Sequence, residues 1–268
     1  MMVYAALRSL NTRLCQPVLR WLLPARCIAC GGPCESSEAS PEARPESTVP
    51  LDLCPACWRQ LPCNEVACVR CGLPLQGTPE SPIYGLICGQ CLRRPPRYTR
   101  SYCAFEYRYP LAPLIRNLKY GQALASARVL GELLAWRLIQ HRQVTSESWP
   151  ACIIPVPLHS RRYRERGYNQ VVELGRHLQR RLNIPLRTDL VTRIRHTPEQ
   201  AGLSRRERRK NLRRAFSTTT TDLPAHVAVL DDVITTGTTV NELAHTLAKA
   251  GVARIEVWGL ARAPAPHR

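Results

Sequence analysis

The chain has 268 residues, 44% of them hydrophobic and 22% charged, enough for one large buried core and a second small one. Its formal charge of +18 is concentrated: residues 156–216 hold 17 lysines and arginines against five acids, a surface suited to phosphate-rich partners, either small molecules or nucleic acid. No apolar run reaches the ~18 residues of a spanning helix. The thirteen cysteines are spaced unlike a secreted disulfide framework, which predicts a reducing, cytoplasmic setting.

Residues 1–24 carry scattered arginines and no small-residue cleavage site, so they read as an amphipathic lead-in segment rather than a signal peptide. Residues 25–97 hold four Cys-x-x-Cys pairs in order: Cys27/Cys30, Cys54/Cys57, Cys68/Cys71 and Cys88/Cys91. A two-residue spacer lets both thiolates of a pair face one ion through a tight knuckle, and two knuckles complete a tetrahedral site. The spacing therefore predicts a double zinc-ribbon domain with two structural Zn²⁺ ions. Sequential pairing of the knuckles stands ahead of an interleaved alternative, and both remain open at this point. Glycine follows the second cysteine in "CIACGG" and "CVRCGL", where a tight turn needs it. The acidic, Pro/Ser-rich stretch 35–50 lacks apolar periodicity and reads as a disordered insertion. Cys15, Cys34, Cys63, Cys103 and Cys152 lack ligand spacing and read as ordinary small residues.

After "RRPP" at 93–96 the pattern changes, and residues 98–268 form the second predicted domain. A strand at 101–109 precedes a helix at 110–121 and an amphipathic helix at 123–142, with Leu130, Leu133, Leu134 and Leu138 near one face. A buried strand at 151–157 leads through an arginine-dense loop to a helix at 169–182. Strands at 186–193 and 225–230, a helix from Thr238 closed by Gly251, and a final strand at 253–262 complete the series. Strands alternating with helices predict an α/β fold built on a parallel, Rossmann-like sheet.

The run "VAVLDDVITTGTT" places Asp231 and Asp232 where an apolar strand ends, and a threonine-rich turn follows directly. Open α/β sheets bind ligands at the carboxyl ends of their strands. Backbone N–H groups, a helix N-terminus and four threonine hydroxyls make a phosphate cradle, and adjacent carboxylates accept from vicinal hydroxyls. A phosphorylated ribose suits both halves. No Gly-Lys-Ser/Thr follows, which argues against a nucleoside triphosphatase.

This motif resembles the signature by which type I phosphoribosyltransferases bind phosphoribosyl pyrophosphate (PRPP). The resemblance implies that Asp231 and Asp232 contact the ribose hydroxyls, and that Thr235, Thr236, Gly237, Thr238 and Thr239 wrap the 5-phosphate. The segments "LLPARCIACG", "LIRNLKYG", "IIPVPLHSRRYRERGYNQ" and "TRIRHTPEQAGLSRRERRKNLRRAF" narrow it. Their order, together with the paired cysteine module, resembles the ComF/GntX family over nearly the full length. That family joins a double zinc ribbon to a phosphoribosyltransferase domain, and the insertion at 35–50 is this chain's main departure.

By the same resemblance Arg161, Arg162 and Arg166 are candidates for the pyrophosphate, with Gly167 and Asn169 shaping the turn. Arg193, Arg195, Gln200, Arg209 and Asn211 match positions of a hood over the ligand. Mg²⁺ would arrive with PRPP, Asp231 being the nearest protein carboxylate. No nucleophile–base pair stands out, so no catalytic residue is assigned. Three readings stay open: a cytoplasmic competence protein that binds PRPP or a related ribose phosphate and helps process incoming single-stranded DNA; an active phosphoribosyltransferase with an unknown acceptor; and a PRPP sensor without turnover.

Overall fold

Four apolar runs become the strands of one parallel sheet: β1 (Arg100–Glu106), β2 (Cys152–Pro155), β5 (His226–Ile234) and β6 (Arg254–Arg262). Their order is β1-β6-β5-β2, so the last strand of the chain lies between the first and β5. The structure is a computed structural model and describes residues 26–34, 52–77, 85–120, 124–195 and 211–264. The lead-in segment, the insertion at 35–50, and hood candidates Gln200 and Arg209 lie outside the described residues. Contacts divide the chain into two units, Met1–Leu61 and Pro62–Arg268. No helix among the described residues is long and apolar enough to cross a membrane.

The smaller unit contains helix α1 (Pro55–Arg59), and the larger begins with α2 (Gly89–Arg93) ahead of β1. Helices α3 (Leu111–Tyr120) and α4 (Leu124–Thr145) connect β1 to β2. All four predicted leucines of α4 are fully buried, as are Ala127, Val129 and Ala135, so its buried surface is broader than one stripe. Helices α5 (Ser160–Arg166) and α6 (Gln170–Leu182) follow β2. Helix α4 packs closely on α6, and Gly131 makes this possible: a Cβ there would come within 2.6 Å of the His177 side chain. Helix α7 (Thr238–Lys249) joins β5 to β6. Its Val240, Leu243, Ala244 and Leu247 cover the face that presents Val227, Val229, Ile255 and Val257.

Two local readings of the sequence change. The arginine-dense stretch after β2 is helix α5 rather than a loop. Straight-chain residues favour helix, Arg161 pairs with Glu165 one turn on (3.0 Å), His159 caps the start and left-handed Gly167 (φ 77°) stops it. The predicted strand at 186–193 is divided. Leu186 bridges in parallel to Ile153, while β3 (Val191–Arg193) pairs antiparallel with β4 (Phe216–Thr218), a strand absent from the sequence reading.

Both outer strands of the sheet are covered. At β1, Asn64 N–H donates to Ala104 O, Ser101 N–H to Val69 O and Glu106 N–H to Pro62 O, so the segment carrying the third cysteine pair lies along the strand. At β2, Ile153 N–H donates to Pro185 O and Arg187 N–H to Ile153 O. Such pairing removes the open edges that template aggregation.

At the amino end of the sheet, Glu256 is 2% exposed and receives four donors. His226 Nε2 lies at 2.9 Å, Arg254 Nη2 at 3.0 Å and Trp258 Nε1 at 3.2 Å, and Arg142 completes the set. Burial by itself would raise the Glu256 pKa. The Arg142 guanidinium and its hydrogen bond, with His226, more than offset this and hold it below the usual carboxylate range. Glu256→Ala strands these donors, although Glu147 still holds Arg142 at 2.8 Å. The substitution is expected to cost about 3 kcal/mol, the low end for breaking a buried pair, with Glu256→Gln costing less. Urea unfolding of both variants checks this.

Candidate zinc centres and ribose-phosphate site

The cysteines converge as two groups, Cys27/Cys30/Cys54/Cys57 and Cys68/Cys71/Cys88/Cys91, with the sulfurs of each within 4.8 Å of one another. This is the sequential pairing. Tetrahedral zinc with bonds of about 2.3 Å demands sulfurs roughly 3.8 Å apart. Cys30 Sγ lies 3.8 Å from Cys54 Sγ, and Cys71 Sγ lies 3.8 Å from Cys88 Sγ. The donor sets therefore fit Zn²⁺ closed on all four positions, which is a structural and not a catalytic geometry.

Each site combines two kinds of knuckle. In the first kind, Gly31 N–H donates to Cys27 O (2.8 Å) and Gly72 N–H to Cys68 O (2.7 Å). Both glycines adopt positive φ, 74° and 66°, which disfavours any side chain. In the second kind, Cys54 and Cys88 sit at the N-caps of α1 and α2, so the next ligand lies on the following helical turn. Backbone N–H groups point at sulfur as well, Cys57 to Cys54 at 3.5 Å and Cys88 to Cys68 at 3.3 Å, a favourable environment for thiolate.

In the larger unit β5 runs through Asp231 and Asp232 and ends at Ile234, so the acids lie within the strand near its carboxyl end rather than just past it. Asp232 is 4% exposed. Its Oδ2 receives Lys119 Nζ at 3.0 Å and Gln170 Nε2 at 3.3 Å, and its Oδ1 accepts from Val233 N–H at 2.7 Å. Asp231 Oδ1 accepts from Asp232 N–H at 3.0 Å. Burial, and then the charge of Asp232, push the Asp231 carboxyl up to about 8, with Lys119 partly opposing them. Burial alone would lower the Lys119 pKa, but the Asp232 carboxylate overrides it and raises the value.

Beyond Ile234, Thr235 is exposed and Thr236 to Thr239 are partly exposed. The Thr236 and Thr238 hydroxyls bond each other at 2.8 Å, and Gly237 (φ 73°) caps α7 without a side chain. A twelve-residue helix therefore opens immediately beside two hydroxyls and the aspartate pair.

The other candidates fall in four places. Asn169 caps α6 through Val171 N–H (3.0 Å), and its Nδ2 donates to Val156 O (3.1 Å), tying the helix start to the exit of β2. Arg166 donates to Gln170 Oε1 (3.2 Å), Arg161 engages Glu165, and Arg162 is half-buried on α5. Arg193 stacks over Phe216 at 5.7 Å; burial lowers its pKa, with Arg162 adding to this and Asp231 opposing it. The charges of Arg162 and of Asp231 are thus both felt at Arg193. Arg195 instead donates to Arg213 O (2.9 Å) on the exposed side, and Asn211 lies half-exposed ahead of β4.

Three residues at the site were not assigned from sequence. Lys119 and Gln170 stand inside "LIRNLKYG" and "GYNQ", where each has a like neighbour, Arg116 and Asn169, and nothing local singles it out. Arg262 ends the apolar strand β6, and its being a charge in such a run was the available signal.

Two four-cysteine zinc ribbons and an α/β unit with acids and a threonine loop at the carboxyl end of a parallel strand define a double zinc ribbon joined to a type I phosphoribosyltransferase-type domain. The double zinc ribbon domain family matches residues 18–92. Competence protein F of Haemophilus influenzae is 39% identical over 214 residues, 79% of this chain and 90% of that protein. DNA utilization protein YhgH of Escherichia coli K12 is 37% identical over 210 residues, 78% of this chain and 90% of the relative. The chain belongs to the ComF family. Among solved structures, an alanine mutant at an invariant aspartate of hypoxanthine phosphoribosyltransferases aligns with 53% of this chain and 79% of its own, at 16% identity and TM-score 0.33. Trypanosoma cruzi hypoxanthine phosphoribosyltransferase aligns at 16% identity and TM-score 0.34, over 52% of this chain and 74% of its own.

Metal analysis of the full chain is expected to give two Zn per molecule, because the sulfurs form two separate sets. Cys68→Ser is expected to reduce this to about one, since structural zinc needs its fourth ligand. A count of two in that variant would reject the assignment of ligands.

Proposed function

We propose that the chain is a cytoplasmic protein that binds PRPP with Mg²⁺ at the carboxyl end of β5 and assists the handling of single-stranded DNA taken up during natural competence. One observation carries the ligand: Asp231 and Asp232 adjoin a threonine loop that opens directly into α7. The carboxylates suit the two ribose hydroxyls. The loop N–H groups and hydroxyls suit the 5-phosphate, with the helix N-terminus adding favourable dipole. Arg193, which feels the charges of Asp231 and Arg162, would with Arg162 supply guanidinium forks for the pyrophosphate end. Mg²⁺ would be carried mainly by ligand oxygens and retained waters, with Asp231 the nearest protein carboxylate. Lys119 pairs with Asp232 at 3.0 Å and so offsets the charge of the buried pair beside the ligand.

Calorimetry with PRPP and Mg²⁺ tests this. Wild type is expected to bind saturably, and Asp231→Asn/Asp232→Asn to lose at least about 2 kcal/mol, or thirtyfold in Kd, by removal of charge-assisted bonds. Asp231 adds a pH signature. Its raised pKa means that below about pH 8 the ligand-free protein holds a proton there. A cation and hydroxyl donors favour the ionised form, so binding releases a proton. Affinity should therefore rise with pH up to about 8 and then level off. The apparent enthalpy should follow the buffer's ionisation heat, and the Asp231→Asn variant should lose both effects. Saturable binding by a folded, zinc-replete double variant at wild-type affinity would sink the proposal.

The relatives' names and the arginine-rich segment support the DNA part. Affinity for single-stranded DNA is expected to fall steeply with salt. Changing Arg205, Arg206, Arg208 and Arg209 to glutamine should reduce the slope of log K against log salt by up to about 3, from ~0.7 per phosphate contact. Fluorescence anisotropy with a labelled oligonucleotide measures it, and an unchanged slope removes this segment as the contact surface.

A further inference from the structure

Arg262 is the last residue of β6 and is 5% exposed. Burying a guanidinium is costly unless its N–H groups find strong acceptors. The acceptors here are main-chain carbonyls from separate parts of the larger unit. Nε donates to Cys71 O at 3.0 Å. Nη1 donates to Ile234 O at 2.8 Å, to Ala263 O at 2.9 Å and to Thr235 O. One planar side chain thus holds a ligand cysteine of the second zinc site and the first residue of the threonine loop.

Both ends of this connection are firmly set. Cys71 is followed by Gly72, whose carbonyl accepts from Asn64 Nδ2 at 2.9 Å. Gly72 also lies against Cys103, so closely that a Cβ would come within 2.5 Å of the Cys103 sulfur. At the other end, Ile234 packs against Gly259, where a Cβ would meet its side chain at 2.9 Å. A second contact runs in parallel: Arg97 N–H, four residues after α2, donates to Asn241 Oδ1 (2.8 Å) in the first turn of α7. Position at the knuckle is therefore transmitted to the loop through hydrogen bonds of fixed geometry, in a packed region that tolerates little drift.

We infer that Arg262 is a positioning residue through which the second zinc knuckle holds the ribose-phosphate loop in its binding conformation, so that ligand affinity depends on zinc at Cys68, Cys71, Cys88 and Cys91. The inference rests on the proposed ligand reading for its affinity readout, but the loop's conformation is measurable without any ligand. Three N–H groups fixed in one plane on Nε and Nη1 serve these four carbonyls, one being shared, and a lysine ammonium cannot reproduce that planar arrangement.

The test uses the full, zinc-loaded chain, with hydrogen exchange of the amides of residues 235–239 and calorimetry with PRPP and Mg²⁺. Arg262→Lys is expected to keep two zinc ions and a cooperative melt, to speed loop exchange at least about tenfold, and to weaken PRPP about tenfold or more, the equivalent of one or two lost bonds. Cys71→Ser, which keeps the carbonyl but loses the metal, should produce the same two changes. The double variant should be no worse than either single one, because both act on one connection. Wild-type loop exchange in a folded Arg262→Lys protein, or additive losses in the double variant, would overturn the inference. Should Arg262→Lys fail to fold, chelator removal of the second zinc from wild type decides: loop exchange must rise with zinc loss, and a constant rate rejects the connection. If wild type shows the zinc-dependent loop exchange yet binds no PRPP, the ligand reading fails and the connection stands.

Discussion

Two carboxylates side by side inside a parallel sheet are the constraint around which the larger unit is arranged. Each would be costly there alone, and together they repel. The remedy comes from elements far apart in sequence: Lys119 from α3 and Gln170 from α6 both reach the same oxygen of Asp232. The capping of α6 by Asn169, the bond from Asn169 to Val156, and the bond from Tyr168 hydroxyl to Leu118 O all fix the positions from which those two side chains extend. While Lys119 and Gln170 both go to Asp232, the Asp231 carboxyl is pushed up by burial and by the Asp232 charge, and its own charge is felt at Arg193. An asymmetric pair of this kind is common at functional sites, where a group is held ready for a charge that only the ligand supplies.

The second zinc ribbon belongs to this arrangement and is more than an appendage to it. Its residues pair along β1, its Gly72 fits against Cys103, and its Cys71 carbonyl meets Arg262. The opposite end of the sheet has its own buried charge cluster, with Arg142, His226 and Arg254 around Glu256. Charge is therefore buried at both strand ends for different purposes. At the amino end Glu256 is ringed by cationic donors and fixes packing, whereas at the carboxyl end the two acids share one lysine beside the threonine loop.

Much of this was legible from the sequence where the information is local. A two-residue spacer between cysteines is a geometric statement, and repetition of it told the number and type of metal sites. The strand, acids and threonine loop are contiguous, so their placement followed from one stretch of chain. Leu130, Leu133, Leu134 and Leu138 lie on one face because a helix repeats every 3.6 residues. Long-range relations were not legible. Nothing near Lys119 points to residue 232, more than a hundred positions away, and nothing near Arg262 points to Cys71. The arginine-rich helix α5 was hidden because charge density resembles a loop until the Arg161–Glu165 pair and the Gly167 stop are recognised. Strands β3 and β4 were obscured by brevity, three residues each, with partners separated by residues 194–215.

The covering of β1 by the ribbon segment has a consequence in time. The chain leaves the ribosome amino end first, and β1 emerges long before its sheet partner: Arg100 pairs opposite Glu256. At ~5–20 residues per second that interval is roughly ten to thirty seconds. All eight zinc ligands precede β1, so the metal can close the second ribbon while most of the sheet is still unmade. The nascent β1 then has a neighbour for one edge from the outset, and only the edge reserved for β6 waits. Zinc bound during synthesis would thus leave nascent β1 with one bare edge to wait on β6 in place of two.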